Sequence, residues 1–206
     1  MLDQEADSLI VKGNSFYHKS DYKLAERYYK EALRVALINL NVLYGEKLHK
    51  YEKSEEVNRQ LLKIDQSVEA KTNFVESLLR VGKYGEARTI ASEVIKSPKS
   101  EQPERDSSKL LYESALDYEG YQVINKFFIA CSYFLDGDRE NGRNQLSSFL
   151  DSIERTFKID REQWIFEGLA KSIDNSNVDD KAKEAILTTI KLLEGKVTKQ
   201  DAKTDL

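Results

Sequence analysis

The stretch Leu9-Ile-Val-Lys-Gly-Asn-Ser-Phe-Tyr-His-Lys-Ser-Asp-Tyr-Lys-Leu-Ala-Glu-Arg-Tyr-Tyr-Lys-Glu-Ala-Leu33 decides the fold. It reads as two helices joined by a short turn. Small Gly13 and Ala25 let the two helix axes approach, and the rings of Phe16 and Tyr29 fill the space beside them. Ser20-Asp21 marks the turn, because short oxygen-bearing side chains accept hydrogen bonds from the first free amides of the next helix. The same order recurs at Phe74–Ile95, with Leu78, Tyr84, Ala87, Ala91 and Val94 in register and Val75 in place of the close-packing glycine. A weaker copy runs over Phe128–Leu150, where Ala130, Tyr133, Gly142, Leu146 and Phe149 hold the equivalent places. A degenerate unit lies around Tyr51, Ser54, Asn58 and Leu61.

Self-similarity at a fixed period is the mark of a repeat architecture. Ser54 to Ala87 spans about 33 residues, near the tetratricopeptide period of about 34. Ala25 to Ser54 spans only about 29, so the helix pair there is expected to be shortened or irregular. Over roughly 5–95 and 124–155 the chain resembles the tetratricopeptide repeat family. The resemblance implies an all-α fold, an antiparallel helix-pair superhelix of four to five units with a concave face lined by the first helix of each pair. An isolated pair cannot bury both of its faces, so stability in such arrays comes from stacking on neighbours.

Composition agrees with helices. The chain has 206 residues, enough for a sizeable core. It carries only 2 prolines and 9 glycines, too few turn signals for an all-β fold. Hydrophobic residues make up 40% and charged residues 33%, the balance of a folded, well-solvated chain. The expected organisation is repeat units over 1–97, a proline-containing loop over 98–105, further helix pairs with capping helices over 106–195, and a frayed polar tail over 196–206. Helical patterns are expected at about 107–119 (Leu110, Leu111, Leu116) and at 161–173, the latter opened by a capping box of Asp160 and Gln163. The last helix, about 179–194, carries Ala182, Ile186, Ile190 and Leu193 on one stripe and stops at Gly195.

The net charge of -4 speaks against a nucleic-acid binder, which needs a basic face. No apolar run reaches the length of a membrane span. The acidic start Met1-Leu-Asp-Gln-Glu-Ala-Asp lacks the order of a signal peptide, and the expected location is cytoplasmic. No constellation of catalytic groups is visible, so no enzyme activity, cofactor or metal is expected. His18 and His49 are the only histidines, and neither stands in a ligand or triad spacing. Cys131, the single cysteine, lies within Phe127-Phe-Ile-Ala-Cys-Ser-Tyr-Phe-Leu135 and reads as a small buried hydrophobe. Gly137-Asp-Arg-Glu-Asn-Gly-Arg143 echoes a phosphate loop but lacks the Lys-Ser/Thr ending and a preceding strand. Gly137 therefore reads as a turn and Gly142 as a close-packing contact.

Function is expected in binding a peptide or helix of a partner protein. The residues placed on the inner surface by the repeat register are Asn14, Tyr17, His18, Thr72, Glu76 and Arg80, a polar set suited to peptide recognition. Further along the same register stand Ile124, Phe127, Cys131, Phe134 and Leu135. So apolar a surface is expected either to be covered by the C-terminal helices, through Trp164 and Phe166, or to bind through Phe127 and Phe134. The alternative function is self-association into a homo-oligomer through this apolar stretch near 124–135. Lys23, Arg27, Lys30 and Arg34 form a basic stripe expected to be a solvated face, with Glu26 placed to pair with Lys30. Some members of the resembled family grip a chaperone's terminal carboxylate with five residues. Here only Asn14 matches, while Ile10, Leu40, Glu69 and Asn73 stand at the other places, so that specific ligand is not implied. Thr204-Asp-Leu206 fits a short terminal peptide motif too brief to carry weight.

Overall fold

A computed structural model describes residues 2–97, 118–153 and 166–204. Every regular element among them is helical. The helices are α1 (Leu2–His18), α2 (Tyr22–Val42), α3 (Tyr51–Leu61), α4 (Val68–Arg80), α5 (Tyr84–Lys96), α6 (Tyr118–Leu135), α7 (Arg139–Ser152), α8 (Glu167–Asp174), α9 (Asp180–Leu193) and α10 (Lys199–Thr204), with one π-helical segment at Leu43–Lys47. The chain divides into two compact units, Met1–Gln66 and Ser67–Leu206. The division falls at 66/67, ahead of the expected proline-containing loop. That loop, the pattern at 107–119 up to residue 117, the capping box of Asp160 and Gln163, Trp164 and the final Asp-Leu all lie outside the described residues.

In the first unit α1 folds back on α2. Phe16 stacks flat on Tyr28, with ring centroids 5.3 Å apart. A Cβ on Gly13 would sit 2.5 Å from the Tyr29 ring, so only glycine admits the ring there. Asp21 caps α2, its carboxylate accepting from the Leu24 amide at 3.1 Å. Ser20 takes the left-handed φ of 61° that ends α1.

The short spacing from Ala25 to Ser54 has a simple cause: α2 does not stop where a regular repeat would turn. Between Lys30 and Tyr44 the sequence offers neither glycine nor proline, so nothing competes with the helix. One helix of 21 residues does the work of two. It then widens, the Leu48 amide bonding the Leu43 carbonyl five residues back at 2.9 Å. His49 ends the rod at φ 50°. Helix α3 packs on the C-terminal half of α2, where Ser54 and Asn58 both donate to Asn41 Oδ1, at 2.6 and 2.9 Å. Arg34 holds Asp65 at 2.6 Å from the same helix.

The second unit is built around α6, which packs on α4, α5 and α7. Phe127, Phe128 and Phe149 form an aromatic cluster with Phe166 at the entry to α8. Gly142 lies against the face of Phe134, where a Cβ would stand 2.8 Å from the ring, and Gly137 makes the α6–α7 turn at φ 85°. Asp138 and Asp179 cap α7 and α9. Hydrogen bonds from the Asn141 side chain and amide hold the Asp138 carboxyl below its usual range. In α9 the expected stripe Ala182, Ile186, Ile190 and Leu193 is buried, and Gly195 follows at φ 67°.

The expected frayed tail is instead partly helical. Ala202 of α10 is fully buried. Lys199 donates to the Ile153 carbonyl at 2.7 Å and Lys203 pairs with Asp151 at 2.6 Å. A single alanine anchor flanked by two lysines that satisfy the end of α7 is enough to dock a helix of six residues.

Candidate functional site

The eight residues expected to meet a partner separate sharply in the structure. Asn14, Tyr17 and His18 are exposed on α1. Asn14 Oδ1 accepts from the Tyr29 hydroxyl at 2.7 Å. Tyr17 lies edge-on to Tyr22 at 5.5 Å and beside His18 at 6.0 Å.

The other five are interior. Thr72 is fully buried, donating to the Val68 carbonyl at 2.6 Å and accepting from Asn125 at 2.7 Å. Glu76 and Arg80 form an ion pair one helical turn apart, with side chains only 11% and 4% exposed. Helix α8 closes over this pair: a Cβ on Gly168 would fall 2.5 Å from the Arg80 guanidinium. Phe127 and Phe134 are buried in the second unit's core. These five therefore cannot face a partner in this arrangement. The reason is that repeat register identifies a helix face but not what later elements lay upon it.

The same burial answers what covers the apolar stretch. Phe166 stands edge-on to Phe127 with centroids 6.2 Å apart, and Ile124, Phe127, Cys131 and Phe134 are all within the core. Those four side chains are therefore turned into the second unit rather than outward toward a second copy. Burial also pushes the Cys131 thiol well above its ordinary pKa, so little nucleophilic thiolate forms. In the native protein Cys131 is expected to resist a thiol-specific reagent such as DTNB, and to react stoichiometrically once urea unfolds the chain. Rapid labelling of the folded protein would contradict this packing.

The exposed apolar side chains point elsewhere. Ile10, Val11, Tyr17, Tyr22, Tyr29, Leu33, Leu40, Val42, Leu43, Leu48 and Ile64 are the exposed large hydrophobics among the described residues, and all belong to the first unit. Tyr17, Tyr22, Ala25, Tyr29 and Leu33 border a shallow, largely apolar cavity of about 360 Å³, edged by Glu26 and Lys30. The α2 part of this face is not what the sequence suggests, because the repeat pattern makes Ala25 and Tyr29 packing residues between the two helices and places the binding surface on the first helix of each pair. The signal was present as apolar residues in the exposed row of α2.

The basic stripe is only in part a solvated row. Lys30 pairs with Glu26 at 2.7 Å, and its hydrogen bond and positive charge hold the Glu26 carboxyl below its usual range. Arg34 turns inward to Asp65, its side chain 14% exposed. His18 and His49 are both exposed, and His49 rests near the Tyr51 ring at 6.1 Å. Among the described residues no group of three His, Cys, Asp or Glu is placed to hold a metal ion, and no helix is long and apolar enough to cross a membrane. Compared with protein-family models, curated proteins and solved structures, the chain matches none of them.

Proposed function

We propose that the chain is a non-catalytic protein-binding module of tetratricopeptide type, and that it binds a partner's peptide or helix on the face shared by α1 and α2. One observation carries the reading: the large apolar side chains left exposed among the described residues gather in the first unit, and several of them line one shallow cavity. Scattered surface hydrophobics are ordinary, whereas a contiguous apolar face rimmed by charge marks an interaction site. Tyrosine-rich composition adds to this, since tyrosine offers a large rigid contact and a polar tip at little entropic cost. Asn14 and the Tyr29 hydroxyl supply polar groups beside the apolar floor.

The test is retention of partners by the tagged protein from an extract of its own source cells, with bound proteins identified by mass spectrometry. Asn14→Ala/Tyr17→Ala is expected to fold as wild type and to lose a specific partner. Retention of the same partners by the double variant would refute a binding role for this face.

A further inference from the structure

The exposed apolar residues of α2 are spaced in a way that specifies the shape of their occupant. Tyr22, Glu26, Tyr29, Leu33, Ala36, Leu40 and Leu43 follow alternating steps of four and three, the spacing of a coiled-coil seam. Six of the seven are apolar, and all seven are exposed; Tyr22, Leu33, Leu40 and Leu43 have 60%, 49%, 38% and 42% of their surface open. Because α2 runs without a turn into the π-helical segment that begins at Leu43, the seam continues for roughly 30 Å, about three heptads. A helix seam of that length and width fits another helix.

The two flanks of the seam differ. One carries Ala25 and Ala32, both buried on the side where α1 packs. The other carries Lys23 and Lys30, both exposed, Lys30 in a solvent-exposed pair with Glu26 that a partner carboxylate can share, and ends at Leu37, which is buried. A second copy fits this arrangement poorly. Paired antiparallel, the lysine flank would meet the lysine flank of its mate; paired parallel, it would meet the flank already occupied by α1. A lipid surface fits poorly too, because membrane-lying helices present a broad apolar face, and here Glu26 interrupts a narrow one. A partner helix with acidic residues along its flank satisfies both the seam and the lysines.

We propose that the seam of α2 docks one α-helix of a partner protein, apolar at heptad spacing and acidic along the flank that meets Lys23 and Lys30. The proposal rests on the protein-binding reading above and names the chemistry of the partner.

The experiment titrates the full chain with two synthetic helical peptides that share a leucine seam, one with glutamate and the other with lysine along its flank. Binding is read by fluorescence anisotropy at low and physiological salt. The glutamate-flanked peptide is expected to bind at least about tenfold more tightly, with the preference shrinking as salt rises. Leu33→Asp/Leu40→Asp, at exposed positions, abolishes binding of both peptides. Lys23→Glu/Lys30→Glu reverses the preference, an outcome that a misfolded variant could not give. Equal affinity for the two peptides overturns the proposal, as does binding of neither. So does a dimer in sedimentation that Leu33→Asp dissociates, which assigns the seam to a second copy. Binding to phosphatidylserine-containing vesicles that Leu33→Asp abolishes, with the peptides ignored, assigns it to a lipid surface. If the seam proposal fails while Asn14→Ala/Tyr17→Ala still loses its partner, the module reading stands on the α1 residues alone; if both fail, that reading falls with it.

Discussion

Arg80→Met is expected to destabilise the second unit by about 3–5 kcal/mol. Its side chain is almost wholly enclosed and pairs with Glu76 on the same helix, with Gly168 of α8 against the guanidinium. Removing the cation takes an ion-pair partner from a largely enclosed carboxylate, and breaking one side of a buried pair costs far more than replacing both. The double variant Glu76→Leu/Arg80→Met should therefore recover most of the loss, because an apolar pair of similar volume is often neutral or better than a buried ion pair. Urea denaturation followed by far-ultraviolet circular dichroism gives the free energies, and hydrogen exchange of the α4 and α8 amides assigns them to this unit. If the single and double variants lose the same stability, the pair is not coupled as described.

Phe127→Ala should cost a similar amount, about 3–5 kcal/mol. The ring is fully buried and sits among Phe128, Phe149 and Phe166, with centroid distances of 5.7–6.2 Å. Its loss removes both the transfer energy of the ring and the support of three neighbouring aromatics from three segments. Tyr17→Ala serves as the control. It is an exposed aromatic, and surface changes of this kind usually lie within about 0.5 kcal/mol. The comparison decides between core and interface for the aromatic residues of the two units. A loss under about 1 kcal/mol for Phe127→Ala would mean that the cluster is far looser than its geometry indicates.

Much of the helical framework was legible from local chemistry. Asp21 and the turn beside it, Gly137 as a turn, Gly142 as a contact, and the stripe and stop of α9 all follow from side chains acting within a few residues of themselves. Two things were not legible, each for a physical reason. The uninterrupted α2 is announced only by the lack of a turn residue, and the repeat register pulls the reading the other way. The burial of Thr72, Glu76 and Arg80 depends on α6 and α8, distant in sequence. Asn125 pairs with Thr72, and Gly168 leaves room for Arg80. A polar residue satisfied by a remote partner looks, in one dimension, like a polar residue in water. The candidate face shows both cases at once: Asn14 and Tyr17 are legible on α1, while Tyr29 reads as a packing residue of the helix pair although 37% of its surface is open.

The continuous rod of α2 has a consequence for how the sequence can change over time. Where two helices are joined by a turn, an inserted or deleted residue is absorbed in the connection. In α2 there is no connection between the half that holds α1, at Ala25 and Ala32, and the half that holds α3, at Asn41. One residue added between Ala32 and Asn41 would rotate one half against the other by about 100°, turning one of the two docking surfaces away from its helix. Length within this interval is thereby fixed as a phase relation. Substitutions can accumulate there, but insertions and deletions of a single residue cannot.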